Sequence, residues 1–234
     1  RDEVDEATDP ADSVSPFVVR SLRFGPLGTV DGAVTVSDRI LGQATERLSL
    51  TNWTVECLVK PSVVFPAGGE MPLISRRVEC SGLINYELGL LASGRPYVRF
   101  NDDAGSSTIQ VSGGTALPTN GWSHLAARFS AGVLTLLVDG VPVGSDNTGF
   151  VPAQGIGDLV FGSDGFAGDL KEIRIWRIPR SNTDIQTFKA RSLFFDSSAA
   201  DPGLLRLQGN GRLREISSTI DPLTDRYIDN LNYW

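Results

Sequence analysis

The sequence predicts an all-β fold, a sandwich of antiparallel strands, and three observations support that prediction. Its 25 glycines and 13 prolines are spread between short apolar runs, the texture of many strands joined by tight turns. The runs are of strand length and rich in β-branched and aromatic residues. A chain of 234 residues can form a single all-β unit with a substantial core.

Residues 1–15, RDEVDEATDPADSVS, are acidic and nearly devoid of apolar side chains, so they cannot bury enough surface to offset ordering entropy. They read as an arm or linker. From Pro16 the strand-like runs begin: FVVRSLRF, AVTVS, WTVECLVK, PLISRR, YELGLL, YVRF, TIQVS, HLAARFS, VLTLLVDG, DLVFG and LKEIRIW. Asp139-Gly140 joins VLTLLV to VPVG, and a two-residue Asp-Gly link favours the type I′ turn that matches strand twist. Ala131-Gly132 and Ser93-Gly94 supply glycine where positive φ is needed, which predicts two more hairpins. In WTVECLVK, Trp53, Val55, Cys57 and Val59 share one face, predicted to be core. Thr54, Glu56 and Lys60 share the other, predicted to be mostly solvated. SNTDIQTFKAR is the helix candidate: Ser181 can cap it, Asp184 stands three residues later, and Ile185 and Phe188 form an apolar stripe. LLRLQ reads as a further strand. The domain organisation expected is an arm over 1–15, a core domain over 16–210 and a tail over 211–234.

A formal net charge of −7 sets up a field that repels phosphate backbones, and no Lys/Arg run offsets it, so nucleic acid is not an expected partner. No stretch approaches the roughly 20 apolar residues of a membrane span, so membrane insertion is not expected. The chain starts at Arg1 with no Met and no apolar signal region, which fits either removal of a leader or a sequence that lacks its original ends, and in both cases the address is not legible. Cys57 and Cys80 are too few for a cysteine-based zinc site; they could form one disulfide if their strands are neighbours, or stand as two buried thiols.

Several segments resemble the laminin-G-like jelly roll, a branch of the concanavalin-A-like lectin and glucanase superfamily related to pentraxins. The opening is similar in SLRFGPLGTVDGAVTVSD and NWTVECLVKP, the central hairpin in GWSHLAARFSAGVLTLLVDGVPVG, and the late strand with its helix in FAGDLKEIRIWRIPRSNTDIQ. GLLRLQGNGRLREIS resembles the strand that often returns after that helix. The resemblance implies a two-sheet antiparallel jelly roll with one short helix near its C-terminal end. It also implies a non-catalytic, extracellular or surface-displayed module that binds glycan or protein. Where relatives commonly carry an Asp in the late strand, this chain has Lys171, so a calcium role tied to that acid is not implied.

Aromatic faces stack on sugars while planar polar groups read hydroxyls, which makes Tyr86, Tyr97, Arg99, Asn101 and Trp122 the ligand candidates. No cofactor is required. Calcium is compatible with Asp102, Asp103, Asp164 and Asp169, which lie in Gly-containing loops, although solvated turn residues explain them equally well. Glycoside hydrolysis needs two carboxylates at a fixed separation, and no Glu-x-Asp-x-x-Glu run occurs in an apolar-flanked strand, so no enzyme is expected. His124, the single histidine, excludes multi-histidine metal centres and reads as a structural strand residue. Asn52-Trp53-Thr54 fits a glycosylation acceptor but falls where a strand begins. An alternative reading is a structural surface protein of a virion or appendage that assembles, as a homo-oligomer or larger array, through its terminal segments.

Overall fold

Asp139 and Gly140 have φ of 51° and 78°, and Ala131 and Gly132 have φ of 47° and 83°. These positive-φ pairs give both turns the twist that antiparallel strands require. In a computed structural model they close the hairpins β10 (Ser123–Ser130) to β11 (Val133–Val138) and β11 to β12 (Val141–Asn147). Gly94, with φ of 77°, lies in the turn between β7 (Ile84–Leu90) and β8 (Pro96–Asn101). The structure describes residues 22–24, 34–36, 39–40, 43–44, 48–62, 69–162, 166–190, 204–207 and 213–216. The expected arm over 1–15, most of the 211–234 tail and the loop carrying Asp164 lie outside these residues.

The hairpins belong to two antiparallel sheets. The first runs β12-β11-β10-β5-β14-β15-β16, where β5 is Trp53–Pro61, β14 Gly168–Trp176, β15 Leu204–Leu207 and β16 Leu213–Ile216. β1 (Leu22–Phe24) pairs with the opening residues of β14, on the same side as β15. The second runs β2-β13-β6-β7-β8-β9, where β2 is Val34–Val36, β6 Met71–Arg77, β9 Thr108–Ser112 and β13 Leu159–Phe161. A small hairpin joins β3 (Arg39–Ile40) to β4 (Gln43–Ala44). The sheets pack face to face as the jelly-roll sandwich expected from the sequence. Trp53, Val55, Cys57 and Val59 of β5 all face this core, as their alternation predicts. Trp53 stacks at 5.7 Å on Tyr86 and 6.1 Å on Phe129, tying the two layers together.

β14 does not keep a strict alternation. Its pairing with β5 shifts between Lys171 and Arg174, and Glu172 sits in the bulge at φ of 50°. The extra residue changes the parity of the strand. Leu170 faces the core before the bulge, and Ile173 and Ile175 face it afterwards. Arg174 and Trp176 are thereby turned outward, beside Glu56.

That outer face is not solvated where the sequence predicts it to be. Thr54 and Glu56 are buried, because the chain after β14 folds back across them. Thr54 Oγ1 donates to Ile178 O at 3.1 Å and accepts from Arg180 N at 2.8 Å. Helix α1 (Asn182–Phe188) then lies over the sheet. Ser181 caps it, accepting from Asp184 N at 3.1 Å, while Asp184 accepts from the Ser181 backbone at 3.4 Å. Both halves of the predicted capping box are present. Ile185 closes a small second core with Ala126 and Leu137. Beneath this cover Glu56 accepts from Trp176 Nε1 at 2.8 Å and Arg174 Nη1 at 3.3 Å, and His124 Nε2 stands 3.1 Å away. His124 therefore occupies the structural strand position expected of it.

The cysteines do not pair. Both are free: Cys57 is sealed in the sandwich core and Cys80 is exposed in the turn after β6. Burial, with the nearby Glu56 charge, pushes the Cys57 thiol up to about 12. The expected outcome with a water-soluble disulfide reagent on the native protein is modification at Cys80 and none at Cys57 until denaturant is added. Peptide mapping of the labelled protein checks this, and rapid native labelling of Cys57 would contradict the packing.

Candidate functional site

The six-stranded sheet carries a polar network on the face turned away from the core. β6, β7, β8 and β9 place Ser75, Glu87, Arg99 and Gln110 in one row across adjacent strands. Glu87 is fully buried at the centre. Its Oε2 accepts from Ser75 Oγ at 2.7 Å and Arg77 Nη2 at 2.8 Å. Its Oε1 accepts from Tyr97 Oη at 2.9 Å and Arg99 Nε at 2.8 Å, with Arg99 Nη2 at 2.6 Å. Arg99 Nη1 continues the network to Glu70 at 2.7 Å. A charge removed from water is tolerable only when it is paired and hydrogen-bonded this completely.

The network fixes the protonation of its neighbours. Burial, and then the Glu87 charge, raise the Tyr97 phenol far above its ordinary value, so it remains a neutral donor. Burial acts to lower the Arg99 guanidinium, but the Glu87 and Glu70 charges prevail and its pKa rises. The guanidinium also lies over the Tyr97 ring, 5.0 Å from the centroid. Arg77 at one end of the row and Glu70 beyond Arg99 have half-exposed side chains, at 50% and 43%. Gln110 is exposed beside Arg99. The result is a buried hydrogen-bonded row whose exposed flanks, Arg77, Glu70 and Gln110, are the groups that can meet the hydroxyls of a bound molecule.

Gly89 makes room for the Tyr97 ring. A Cβ at this position would stand 2.8 Å from Tyr97 Cε1 and 2.7 Å from Met71 O. Gly89→Ala is therefore expected to displace the ring, break its bond to Glu87 and lower stability by roughly 1–3 kcal/mol, the usual cost of overpacking. Denaturant unfolding and near-ultraviolet circular dichroism check this.

Of the five ligand candidates, the structure brings Tyr97 and Arg99 into this network and separates the rest. Asn101 lies further along β8, where it accepts from Ile84 N at 2.8 Å and donates to Thr108 Oγ1 at 2.7 Å. Tyr86 is not on this face. It is buried in the core beside Trp53, because it shares the inward face of β7 with Leu88 and Leu90. Trp122 lies at the other sheet, just before β10. Ser75, Arg77 and Glu87 were missed. The available signal was that Glu87 alternates with two core residues in Tyr-Glu-Leu, which puts an acid at mid-strand on the opposite face.

The described aspartates are not gathered. Asp102 accepts from Ser107 N at 2.6 Å and Ser106 Oγ at 2.8 Å, bonds that hold its carboxyl below the ordinary range. Asp103 accepts from Gln154 N at 3.1 Å, and Asp169 lies on the other sheet, 3.9 Å from Lys60. Among the described residues no group of three or more His, Cys, Asp or Glu side chains could hold a metal ion. Among them, too, no helix is long and apolar enough to cross a membrane.

A family model, Laminin_G_3 of the concanavalin A-like lectin/glucanases superfamily, matches residues 28–186. Solved structures share the fold at low identity. A heptameric SAP-like pentraxin from Limulus polyphemus is 15% identical with a TM-score of 0.53, over 75% of this chain and 84% of the other. The CBM40 of the Ruminococcus gnavus IT-sialidase, bound to α2,3-sialyllactose, is 11% identical with a TM-score of 0.57, over 73% of this chain and 97% of the other. The binding domain of botulinum neurotoxin serotype G is 13% identical with a TM-score of 0.53, over 83% of this chain but 46% of the other. No curated protein matches the sequence.

Proposed function

The chain belongs to the Laminin_G_3 family of the concanavalin A-like lectin/glucanases superfamily, and we propose on that premise that it is a non-catalytic module that binds glycan. The observation that carries this reading is the Glu87 network, a rigid polar row on the outer face of the six-stranded sheet with half-exposed Arg77 at its end. Saccharide hydroxyls, which donate and accept at once, suit the half-exposed Arg77 guanidinium and Glu70 carboxylate and the exposed Gln110 amide that flank the buried Glu87. The likeness in fold to a CBM40 bound to α2,3-sialyllactose supports it.

The same geometry speaks against hydrolysis. A glycosidase needs one carboxyl group to protonate the leaving oxygen and another to attack or activate water. Both oxygens of Glu87 are occupied by Ser75, Arg77, Tyr97 and Arg99, and Glu70 is held by Arg99. In this reading binding at the row does not draw on calcium, because both Glu87 oxygens are already held by Ser75, Arg77, Tyr97 and Arg99. The module works outside the cytoplasm or on a displayed surface, where glycans are presented.

A glycan-array screen in calcium and then in chelator tests the proposal. The expected result is a restricted set of saccharides bound equally in both conditions, with no turnover of the hits. An array without hits, or hydrolysis of a bound saccharide, would overturn it.

A further inference from the structure

The outer face of the eight-stranded sheet is divided. Residues 177–189 cover the part that carries Glu56, Arg174 and Trp176. Another part carries Trp122, Lys60 and Lys171. Ser123 pairs with Val59, which sets Trp122 across from Lys60, and Lys171 pairs with Leu58 on the same strand. Lys171 Nζ stands 4.1 Å from the centroid of the Trp122 ring and Lys60 Nζ 5.9 Å from it. The indole nonetheless stays 38% exposed, one of the few large apolar side chains so placed among the described residues.

Two ammonium groups meeting at one accessible indole form a local positive feature on a chain whose net charge is −7. Exposed cation–π contacts are weak, so they hold the lysines near the ring without committing them to it. Lys60 is also shared with Asp169 at a loose 3.9 Å. A pyranose that displaces Lys171 from over the ring would lay its apolar C–H face on the indole, and an anionic group on that sugar would gain both ammonium groups at once.

We propose that Trp122, Lys60 and Lys171 form a second saccharide site, specific for a sugar that bears a carboxylate or sulfate group. It lies on the opposite sheet from the Glu87 network, with the sandwich core between them, so one module would hold two saccharide segments. The lysines supply the preference for charge and the indole supplies the stacking surface.

Isothermal titration of the full chain with trigalacturonate, sulfated galactotriose and neutral galactotriose tests the assignment. Either acidic trisaccharide is expected to bind about tenfold more tightly than the neutral one, with affinity falling as salt is raised. Comparison of the two acidic sugars decides which anion is preferred. Trp122→Ala should weaken acidic binding about tenfold, Trp122→Phe should restore part of it, and Lys171→Gln should remove the preference for charge. Gly89→Ala, which disturbs the other sheet, should leave it unchanged. Equal binding of all three sugars, or unaltered acidic binding in Trp122→Ala and Lys171→Gln, would overturn the proposal. Loss of acidic binding in Gly89→Ala alone would move it to the Glu87 face, overturning the second site while leaving the first.

Discussion

Glu87→Ala is expected to lower folding stability by roughly 3–5 kcal/mol and to abolish glycan binding. The side chain is fully buried and accepts from Ser75, Arg77, Tyr97 and Arg99. Removing it leaves the buried Tyr97 hydroxyl without its acceptor and the largely buried Arg99 guanidinium without its main counter-charge. Water can reach only part of that gap. Glu87→Gln should also be costly, because its amide nitrogen must face at least one of the donors now directed at the carboxylate. Arg77→Ala serves as the contrast: its side chain is 50% exposed, so it should lose about 1 kcal/mol or less while still weakening ligand binding. Denaturant unfolding of the three variants checks the order. A Glu87→Ala protein as stable as Arg77→Ala would show that the network is not the structural centre of the face.

The second large effect lies on the other sheet and depends on pH. Burial of Glu56 acts to raise its pKa, but the His124 hydrogen bond, the charges of Arg174 and His124 and the Trp176 hydrogen bond prevail and lower it from 4.5 to about 2. The unfolded chain therefore takes up this proton at higher pH than the folded one. The stabilisation is fully present above the unfolded value of 4.5 and is lost as pH falls through the folded value near 2. Its size is on the order of 3 kcal/mol. Unfolding midpoints measured down a pH series should fall steeply below about pH 4.5 in the wild type, and less steeply in Glu56→Gln, which lacks the titrating group. Parallel curves for the two proteins would remove Glu56 as the source. Because Arg174 also donates to Phe188 O at 3.1 Å, loss of the Glu56 contact should loosen α1 with it.

The sandwich is legible in the sequence because its signals are local. Asp139-Gly140 fixes a turn, Ser181 with Asp184 fixes a helix start, and the alternation of Trp53, Val55, Cys57 and Val59 fixes which face of β5 is core. What covers the other face is not local. Thr54 and Glu56 become buried only because a chain segment more than a hundred residues later returns over them. The bulge at Glu172 is equally hidden, since the run LKEIRIW does not reveal where its parity changes. Arg174 and Trp176 reach Glu56 through that change.

The site was partly legible for the same reason. Residue type alone put Tyr86 and Tyr97 on equal terms, yet one packs against Trp53 and the other lies over Gly89. The face that Tyr86 shares with Leu88 and Leu90 separates them once each strand is read by face. Ser75, Arg77 and Glu87 meet Arg99 only through the register of three strands, which no single stretch of sequence contains. Cys57 and Cys80 differ likewise, one on an inward strand position and one in a turn.

The most direct test of the central claim is to map a bound saccharide on the protein by nuclear magnetic resonance, using the strongest neutral hit of a glycan array. The account predicts that the largest shift changes fall on the backbone amides of Arg77, Glu87, Arg99 and Gln110, with the core strands of the opposite sheet unmoved. Changes confined to the loops at the ends of the sandwich, with this row silent, would contradict it.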